Sequence, residues 1–392
     1  MCFMQSTKNY MHIGLRWFGK EDPLTLQNLK QAGADYIISA LHEVPVGAVW
    51  ETEKIKQYQR LIDQSDLSWT VVESLPVHES IKYQGKDFKL YIEYYKQSIV
   101  NLAQCGIKTI TYNFMPVLDW VRTDHKCLNE DGTSTLFFDP VAMAYFDCYI
   151  LERTHAKSSY TKKQIEKIEA FASQITEEEE QQLTANILLG LPGSNEDFSI
   201  AQLEDRMRPY KALSAAMLRQ NLIYFLQQII PVAQKHGVHL AIHPDDPPFP
   251  VLGLPRIVST AQDLDYLFRA VPAFQNGLCF CSGSLGANGH NDLNEILITH
   301  QERIHFLHLR DVRCFADGSF QEAPHLTGDH DMRTLMQTAM TIAKARKMEL
   351  PVRPDHGFLH TFEQHKKFYP GYSLLGRMQG LSALKGLAMG LA

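Results

Sequence analysis

Residues 239–256 read His-Leu-Ala-Ile-His-Pro-Asp-Asp-Pro-Pro-Phe-Pro-Val-Leu-Gly-Leu-Pro-Arg. The stretch begins with a mostly apolar run that is typical of a strand. It ends at His243-Pro244, because proline cannot donate a hydrogen bond to a strand ladder. Asp245 and Asp246 follow in a loop stiffened by prolines. A buried strand that ends in histidine and leads into an acidic loop suits a metal site. The alternative is a capped strand end with a solvated acidic loop, and both interpretations fit this stretch alone.

Strand-like runs of this kind recur along the chain, with helical patterns between them. Eight runs are predicted as strands, at residues 11–18, 36–41, 69–75, 109–115, 238–243, 277–281, 303–309 and 350–357. This alternation predicts parallel strands joined by helices, and eight units predict a closed (β/α)8 TIM barrel. An open doubly wound sheet is the second interpretation. Its dinucleotide-binding form is disfavoured, because no G-x-G-x-x-G lies between a strand and a helix.

The alternation is interrupted after the fourth strand. Residues 125–205 are polar and charged and carry helical patterns, so we predict a mainly helical insertion that covers one end of the barrel. Residues 1–10 are predicted to be a short N-terminal extension. Residues 11–392, with the insertion, are therefore expected to form one catalytic TIM-barrel domain.

The bulk properties exclude several classes of protein. The chain has 392 residues, 45% of them hydrophobic, and a net charge of −6, which disfavours a protein that binds nucleic acid through its phosphates. No apolar run approaches the roughly 18 residues of a membrane span. Seven irregularly spaced cysteines do not form a disulfide framework, so a reducing, cytoplasmic location is expected.

Chemically useful side chains collect where the predicted strands end, which is where a barrel of this type places its active site. The residues concerned are Glu73, Asn113, His243, Cys281, His308, Arg310, Asp311, Arg353, Asp355 and His356. Two histidines, a cysteine and an aspartate from four successive strands are able to meet around one cation. Imidazole and thiolate ligands suit iron(II), zinc, cobalt or manganese better than magnesium or calcium.

Each member of that set also has a plainer interpretation. His308 between two leucines is typical of a buried core histidine, and Cys281 of a small buried apolar residue. Asp355 is consistent with an ordinary turn residue before Gly357. The coincidence of four such residues at four strand ends favours the metal site. His305, on the opposite face of its strand from His308, is predicted not to be a ligand.

Several long blocks of this sequence resemble the mannonate dehydratase family of xylose-isomerase-like barrels. The matching blocks are residues 15–19 (Leu-Arg-Trp-Phe-Gly), 71–74 (Val-Val-Glu-Ser), 112–120 (Tyr-Asn-Phe-Met-Pro-Val-Leu-Asp-Trp), 243–248 and 253–260, 353–357 (Arg-Pro-Asp-His-Gly) and 370–372 (Pro-Gly-Tyr). The resemblance implies dehydration of D-mannonate to 2-dehydro-3-deoxy-D-gluconate in hexuronate catabolism, with one divalent metal, Fe2+ or Mn2+. It also implies His243, Cys281, His308 and Asp355 as metal ligands, and His356 and Tyr372 as the proton-transfer residues.

The strand-end positions suggest further contacts with the substrate. Arg16, Arg310 and Arg353 are candidates for its carboxylate, because a guanidinium group matches two oxygens. Glu73, Asn113 and His42 are candidates for its hydroxyl groups. A homo-oligomer, most simply a dimer, is expected, with no nucleic-acid or membrane partner.

Three other functions fit parts of the pattern. A sugar isomerase or epimerase of the same metal-dependent barrel class is the main alternative. A nucleic-acid repair enzyme of similar shape is disfavoured by the acidic balance, and a non-catalytic sugar-acid binder is the third.

Overall fold

The computed structural model describes residues 11–189 and 199–392, and it contains two sheets. Its strands are β1 (Leu15–Arg16), β2 (Ile37–Ser39), β3 (Trp69–Glu73), β4 (Thr109–Tyr112), β5 (Asp124–Leu128), β6 (Ser134–Phe138), β7 (His239–Ile242), β8 (Asn276–Cys281), β9 (Ile304–Leu309), β10 (Asp311–Cys314), β11 (Phe320–Ala323) and β12 (Val352–Pro354). The two segments outside the described ranges are the predicted N-terminal extension and nine residues of the predicted insertion.

Eight of these strands form the barrel. They pair in parallel in the order β1-β2-β3-β4-β7-β8-β9-β12. A parallel bridge from Ile13 to Val352 joins the first and last strands, with the Gly14 amide donating to the Val352 carbonyl at 2.9 Å. The predicted (β/α)8 barrel is confirmed, although β1 and β12 are shorter than the runs predicted for them.

The inside of the barrel is filled by one compact cluster of side chains. Its members are Tyr36, Ile38, Val71, Ala241, Cys279 and Phe306, all of them buried. Side chains two residues apart along a strand share a face. Cys281 and His308 therefore lie one step further along β8 and β9 than Cys279 and Phe306, at the carboxyl end of the barrel. The apolar cluster thus forms the floor beneath the polar residues.

The described residues form fourteen α-helices, which surround and extend the barrel. They are α1 (Leu26–Gln31), α2 (Thr52–Asp63), α3 (Glu79–Lys82), α4 (Phe88–Gln104), α5 (Pro140–Tyr145), α6 (Lys162–Ala172), α7 (Glu177–Leu188), α8 (Ile200–Met207), α9 (Ala215–His236), α10 (Ala261–Ala270), α11 (Ser282–Gly286), α12 (Leu293–Thr299), α13 (Met332–Arg346) and α14 (Leu374–Leu391). Short 3-10 turns lie at Ala156–Ser159, Arg208–Tyr210, Gln301–Arg303 and Thr361–Glu363, and a π turn lies at Phe146–Ile150.

Helix ends are set by local side chains. Thr260 closes a capping box with Asp263 at the start of α10, which satisfies amides that have no partner within the helix. Gly237 adopts φ 64° after α9, a left-handed conformation that glycine reaches without steric cost, and β7 follows directly. No helix of the described ranges combines the length and hydropathy needed to cross a membrane.

The second sheet is antiparallel and lies outside the barrel strands. Its order is β10-β11-β6-β5, so the loop after β9 pairs with the start of the predicted insertion. The strands β5 and β6 were not predicted, and they show that this segment begins with a hairpin before its helices. A separate apolar cluster that includes Phe138, Phe146, Val251 and Phe320 packs around this sheet.

Candidate active site

Three predicted metal ligands meet at the carboxyl end of the barrel. His243 directly follows β7, Cys281 ends β8, and His308 lies in β9 beside Cys281 in the strand register. One ligand atom from each lies within 4.8 Å of the others. The Nε2 of His243 is 3.2 Å from the Nδ1 of His308. The parallel ladder therefore brings together residues that are up to 65 positions apart in sequence.

The polar surroundings of the trio suit a cation. The backbone amide and the hydroxyl of Ser284 both point at the Cys281 sulfur, at 3.4 Å and 3.2 Å, and stabilise negative charge on it. The Nδ1 of His243 lies 2.7 Å from the Pro244 carbonyl, so it donates there and leaves Nε2 as an acceptor. Burial lowers the pKa of His243. Nearby carboxylates, Asp355 among them, raise it but do not outweigh burial, so the ring stays neutral.

His308 is held by a carboxylate on its other side. Its Nε2 lies 3.2 Å from the Glu73 carboxylate and 3.2 Å from the Nε of Arg353, while its Nδ1 faces His243. A ring that donates to a carboxylate through one nitrogen and faces a cation with the other is the usual arrangement of a metal-binding histidine. Burial raises the pKa of Glu73, but Arg353, His308 and Arg16 outweigh it and hold that pKa well below its ordinary value. The donor set thus fits a divalent transition metal.

Asp355 adjoins the trio without belonging to it. Its Oδ2 is 3.8 Å from the Cys281 sulfur and 3.0 Å from Arg310, and its Oδ1 is 2.6 Å from Arg353. Burial raises the pKa of Asp355, but Arg353 and the neighbouring cations lower it well below the ordinary value. The residue is therefore a carboxylate beside the cluster, already bound to two guanidinium groups.

A continuous chain of buried ion pairs contains these residues. Four arginines and four carboxylates alternate along it, in the order Arg16, Glu73, Arg353, Asp355, Arg310, Asp246, Arg122 and Glu322. No member is more than 7% exposed. Their charges sum to zero, so the members of this chain compensate one another although they are buried.

His356 and Tyr372 lie together in the same cavity. Their rings meet edge to face with centroids 5.5 Å apart. The Nδ1 of His356 is 3.1 Å from both Glu322 and Arg310. Burial raises the pKa of Tyr372. The guanidinium of Arg353 lowers it but does not outweigh burial, so the phenol keeps its proton.

Fourteen of the described residues line the cavity. They are Arg16, Glu73, Ser74, Thr111, Asn113, Asp119, Trp120, His243, Asp246, Arg310, Arg353, Asp355, His356 and Tyr372. The lining thus combines cationic, hydrogen-bonding and titratable groups, and it includes His243 of the ligand trio.

A family model described as D-mannonate dehydratase (UxuA) matches residues 11–392. The chain belongs to the D-mannonate dehydratase family. The mannonate dehydratase of Marinomonas sp. is 44% identical over 96% of this chain and 98% of its own length. That of Chromohalobacter salexigens is 43% identical over 95% of this chain and 96% of its own. The family resemblance seen in the sequence is confirmed.

Solved structures agree with the D-mannonate dehydratase family and its fold. The crystal structure of mannonate dehydratase from Streptococcus suis superposes with a TM-score of 0.77 at 30% identity, covering 97% of this chain and 95% of that one. A xylose isomerase-like TIM-barrel protein from Mycobacterium smegmatis superposes with a TM-score of 0.54 at 13% identity, covering 99% of this chain and all of that one. The second likeness concerns the fold alone.

The other residues discussed from the sequence do not all line the cavity of this D-mannonate dehydratase family member. Arg16 and Asn113 line the cavity, and the Asn113 amide donates to Asp119 at 3.3 Å. His42 packs against Phe18, with ring centroids 5.8 Å apart, and is not among the lining residues. His305 stacks on His239 and contacts the Phe274 carbonyl, outside the ligand trio.

Several residues of the site were not assigned a role from the sequence, Ser74, Thr111 and Asp119 of the lining among them. Trp120 lies in the cavity wall, and Arg122 and Glu322 lie just behind it. Asp246 binds Arg122 at 2.6 Å and Arg310 at 2.9 Å, whereas its neighbour Asp245 accepts from Val258 and Ser259. The acidic pair after His243 was a visible signal for Asp246, but no local pattern marked Glu322.

Proposed function

We infer that this enzyme eliminates water from D-mannonate to give 2-dehydro-3-deoxy-D-gluconate. The observation that carries the inference is the His243–Cys281–His308 trio within 4.8 Å, whose member His243 lines the same cavity as His356 and Tyr372. We propose that the trio holds Fe2+ or Mn2+, with Asp355 as a fourth ligand. When bound, such a cation supplies Lewis acidity that stabilises the negative charge developing on the substrate oxygens.

The charge balance of the cavity supports a sugar acid. The buried ion-pair chain is neutral by itself, as its alternating members show. A divalent cation with one thiolate leaves a single positive charge. One substrate carboxylate neutralises it, which favours an anionic substrate over a neutral sugar.

We propose that His356 takes the C2 proton and that Tyr372 protonates the departing C3 hydroxyl. C2 lies beside a carboxylate, so its proton is weakly acidic and requires a positioned base. A buried phenol that keeps its proton suits the acid role, and the edge contact between the two rings places them in one cavity. The enol left by the elimination becomes the 2-keto acid when it takes up a proton at C3.

Arg16 is the proposed partner of the substrate carboxylate. Arg310 forms ion pairs with three carboxylates and Arg353 with two, whereas Arg16 pairs with Glu73 and with no other carboxylate of the described residues. The Nε of Arg16 is buried without a hydrogen-bond partner in the described residues. We further propose that Asn113 binds a substrate hydroxyl, that Arg310, Arg353 and Glu73 shape the site through their ion pairs, and that His42 supports it from the end of β2.

Replacing Arg16 with lysine is expected to raise KM for D-mannonate by roughly 10- to 100-fold, because a charged hydrogen bond contributes about 1.5–3 kcal/mol. Metal content should stay unchanged, as measured by elemental analysis beside steady-state kinetics. Arg219→Lys, which alters an arginine paired with Asp263 outside the cavity lining, is the matched control. An Arg16→Lys variant with the KM of the native enzyme would remove Arg16 from the carboxylate site.

The activity is tested by incubating the enzyme with Mn2+ and D-mannonate under anaerobic conditions and assaying the 2-keto acid. Keto acid should accumulate and proton NMR should show loss of the C2 hydrogen. Interconverted sugars without keto acid would instead favour the isomerase or epimerase interpretation. The barrel neighbour considered above does not support that alternative, because a likeness at 13% identity concerns the fold alone.

We propose that residues 11–392 act as one catalytic domain and that the enzyme is a cytoplasmic homodimer. Free thiols at the six described cysteines are consistent with a reducing compartment. Shared apolar packing between Phe138 of the insertion and Val251 of the loop after β7 supports a single domain. Light scattering on the purified enzyme tests the dimer.

A further inference from the structure

We propose that Glu322, on the second sheet, is a positioning residue that fixes the ring of His356 so that its Nε2 faces the substrate. This inference rests on the proposed role of His356 as the base. It assigns a task to a strand that lies outside the barrel.

The geometry around His356 singles out Glu322. The Glu322 Oε1 lies 3.1 Å from the His356 Nδ1, and both side chains are buried. The nearest other carboxylate, that of Asp355, approaches the opposite nitrogen, Nε2, at 3.7 Å. Glu322 is thus the carboxylate within hydrogen-bonding distance of the ring, and a carboxylate bonded to one nitrogen orients a catalytic imidazole for chemistry at the other.

Two groups contact the Nδ1 of His356, the Glu322 carboxylate and the Arg310 guanidinium. The Nη1 of Arg310 lies at the same 3.1 Å from Nδ1, but a guanidinium only donates, whereas a carboxylate only accepts. If Nδ1 donates to Glu322, Nε2 keeps a lone pair and can take the C2 proton. If Nδ1 accepts from Arg310, Nε2 carries the hydrogen and cannot act as a base. In this proposal the Glu322 carboxylate is therefore the contact that favours the reactive tautomer.

The surroundings of Glu322 keep it charged although it is buried. Arg122, which is completely buried, donates to its Oε1 at 3.0 Å, and the Arg310 Nε lies 3.3 Å from its Oε2. Burial raises the pKa of Glu322, but Arg310 and the neighbouring cations outweigh it and lower that pKa below its ordinary value. A buried ion network of this kind is costly to assemble, which indicates a specific requirement at this position.

The second sheet holds Glu322 in register with the barrel. Glu322 pairs with Val312 in β10, and the preceding residues of β11 pair with Phe137 and Phe138 in β6. The Thr135 hydroxyl donates to the Glu322 carbonyl at 3.4 Å. The hairpin after β4 and the loop after β9 therefore build one support behind His356.

The steric fit on the other side of the ring completes the arrangement. A Cβ added at Gly371, where φ is 80°, would lie 3.0 Å from His356 and from Leu136 of β6. Trp120 meets the His356 ring with centroids 6.0 Å apart. Packing thus confines the His356 ring, and the Glu322 carboxylate adds a hydrogen-bond partner for its Nδ1.

The test compares Glu322→Gln, Glu322→Asp and the control Gln321→Ala in the metal-loaded enzyme. Gln321 is the neighbouring residue on β11 and contacts Asn129, so its removal disturbs the same sheet without touching His356. The measurements are kcat, KM, metal content and the primary isotope effect with C2-deuterated D-mannonate. The isotope effect separates slower C–H cleavage from a smaller fraction of active enzyme.

Glu322→Gln is expected to lower kcat by about 100-fold or more, within the range for loss of acid–base catalysis, with KM and metal content close to native. The isotope effect should rise, because proton removal becomes slower than the other steps. Glu322→Asp retains a carboxylate and should lose less activity than Glu322→Gln. If Glu322→Gln does not fold, Glu322→Asp is the variant that tests the role of Glu322. Gln321→Ala should behave like the native enzyme.

Two results would overturn the inference. One is native kcat and a native isotope effect in Glu322→Gln, or in Glu322→Asp if only that variant folds. The other is a loss of activity in proportion to a loss of metal content or of folded protein, with an unchanged isotope effect. That result would show that Glu322 has a purely structural role. Failure of the proposed function is distinguishable, because the native enzyme would then form no keto acid from D-mannonate.

Discussion

Replacing His356 with asparagine is expected to lower kcat for D-mannonate dehydration by roughly 1,000-fold, within the range that a positioned general base contributes. Asparagine keeps a polar side chain of similar reach that can bond to Glu322 or Arg310, but it does not take a proton. KM should change little, because the substrate carboxylate and the ligand trio are held by other residues. The measurement is single-turnover keto-acid formation together with metal analysis of the same sample.

His360→Asn is the matched control for this change. His360 lies four residues later on the same loop, and its ring contacts Gln379 at 3.2 Å without reaching the cavity. It should retain native turnover. An His356→Asn variant that turns over like the native enzyme with full metal content would exclude His356 as the base and transfer that role to another group in the cavity.

The barrel and the ligand trio could be predicted because both follow from local pattern. Apolar runs of strand length recur between helical segments, and parallel strands align their carboxyl ends, so His243, Cys281 and His308 had to be neighbours once the barrel was assumed. The strand register then sets the height of each side chain. Cys281 lies opposite His308 in the ladder between β8 and β9.

The second sheet could not be predicted in the same way. Its strands β5 and β6 belong to one segment and β10 and β11 to another, nearly 200 residues later, so no local periodicity links them. Asp124–Leu128 is polar and mostly exposed or half-buried, which hides its strand character. Because Glu322 reaches the site only through this sheet, its contact with His356 was equally invisible.

The arginine assignments show a related limit. Strand-end position placed Arg310 and Arg353 near the site correctly, but position does not tell which partner a guanidinium takes. In the structure both bind buried carboxylates, Arg310 with Asp246 and Asp355, and Arg353 with Glu73 and Asp355. Arg16 pairs with the Glu73 carboxylate, and its Nε has no hydrogen-bond partner within the part of the chain that the structure describes. Long-range charge pairing therefore decides which arginine remains for a ligand.

Replacing Cys281 with alanine is expected to weaken metal binding by more than about 100-fold, beyond the 10- to 100-fold typical of losing an outer partner of a metal ligand. Alanine removes a ligand atom and leaves the two Ser284 donors aimed at the sulfur without an acceptor. Dehydration should be lost at stoichiometric metal and partly restored by excess Mn2+. The measurement is metal content after dialysis, with activity as a function of added metal.

Cys279→Ala provides the control on the same face of the same strand. Cys279 lies two residues earlier, packed in the barrel interior with Phe306, and is not part of the ligand trio. Its truncation removes buried volume and should lower the free energy of unfolding by about 1 kcal/mol while metal content stays native. Equal metal loss in both variants would mean that packing within the barrel, rather than the Cys281 thiolate, retains the ion. Loss of metal in Cys281→Ala alone would show that the Cys281 sulfur is a ligand, because Cys279 is the same type of residue on the same face of β8, two residues earlier.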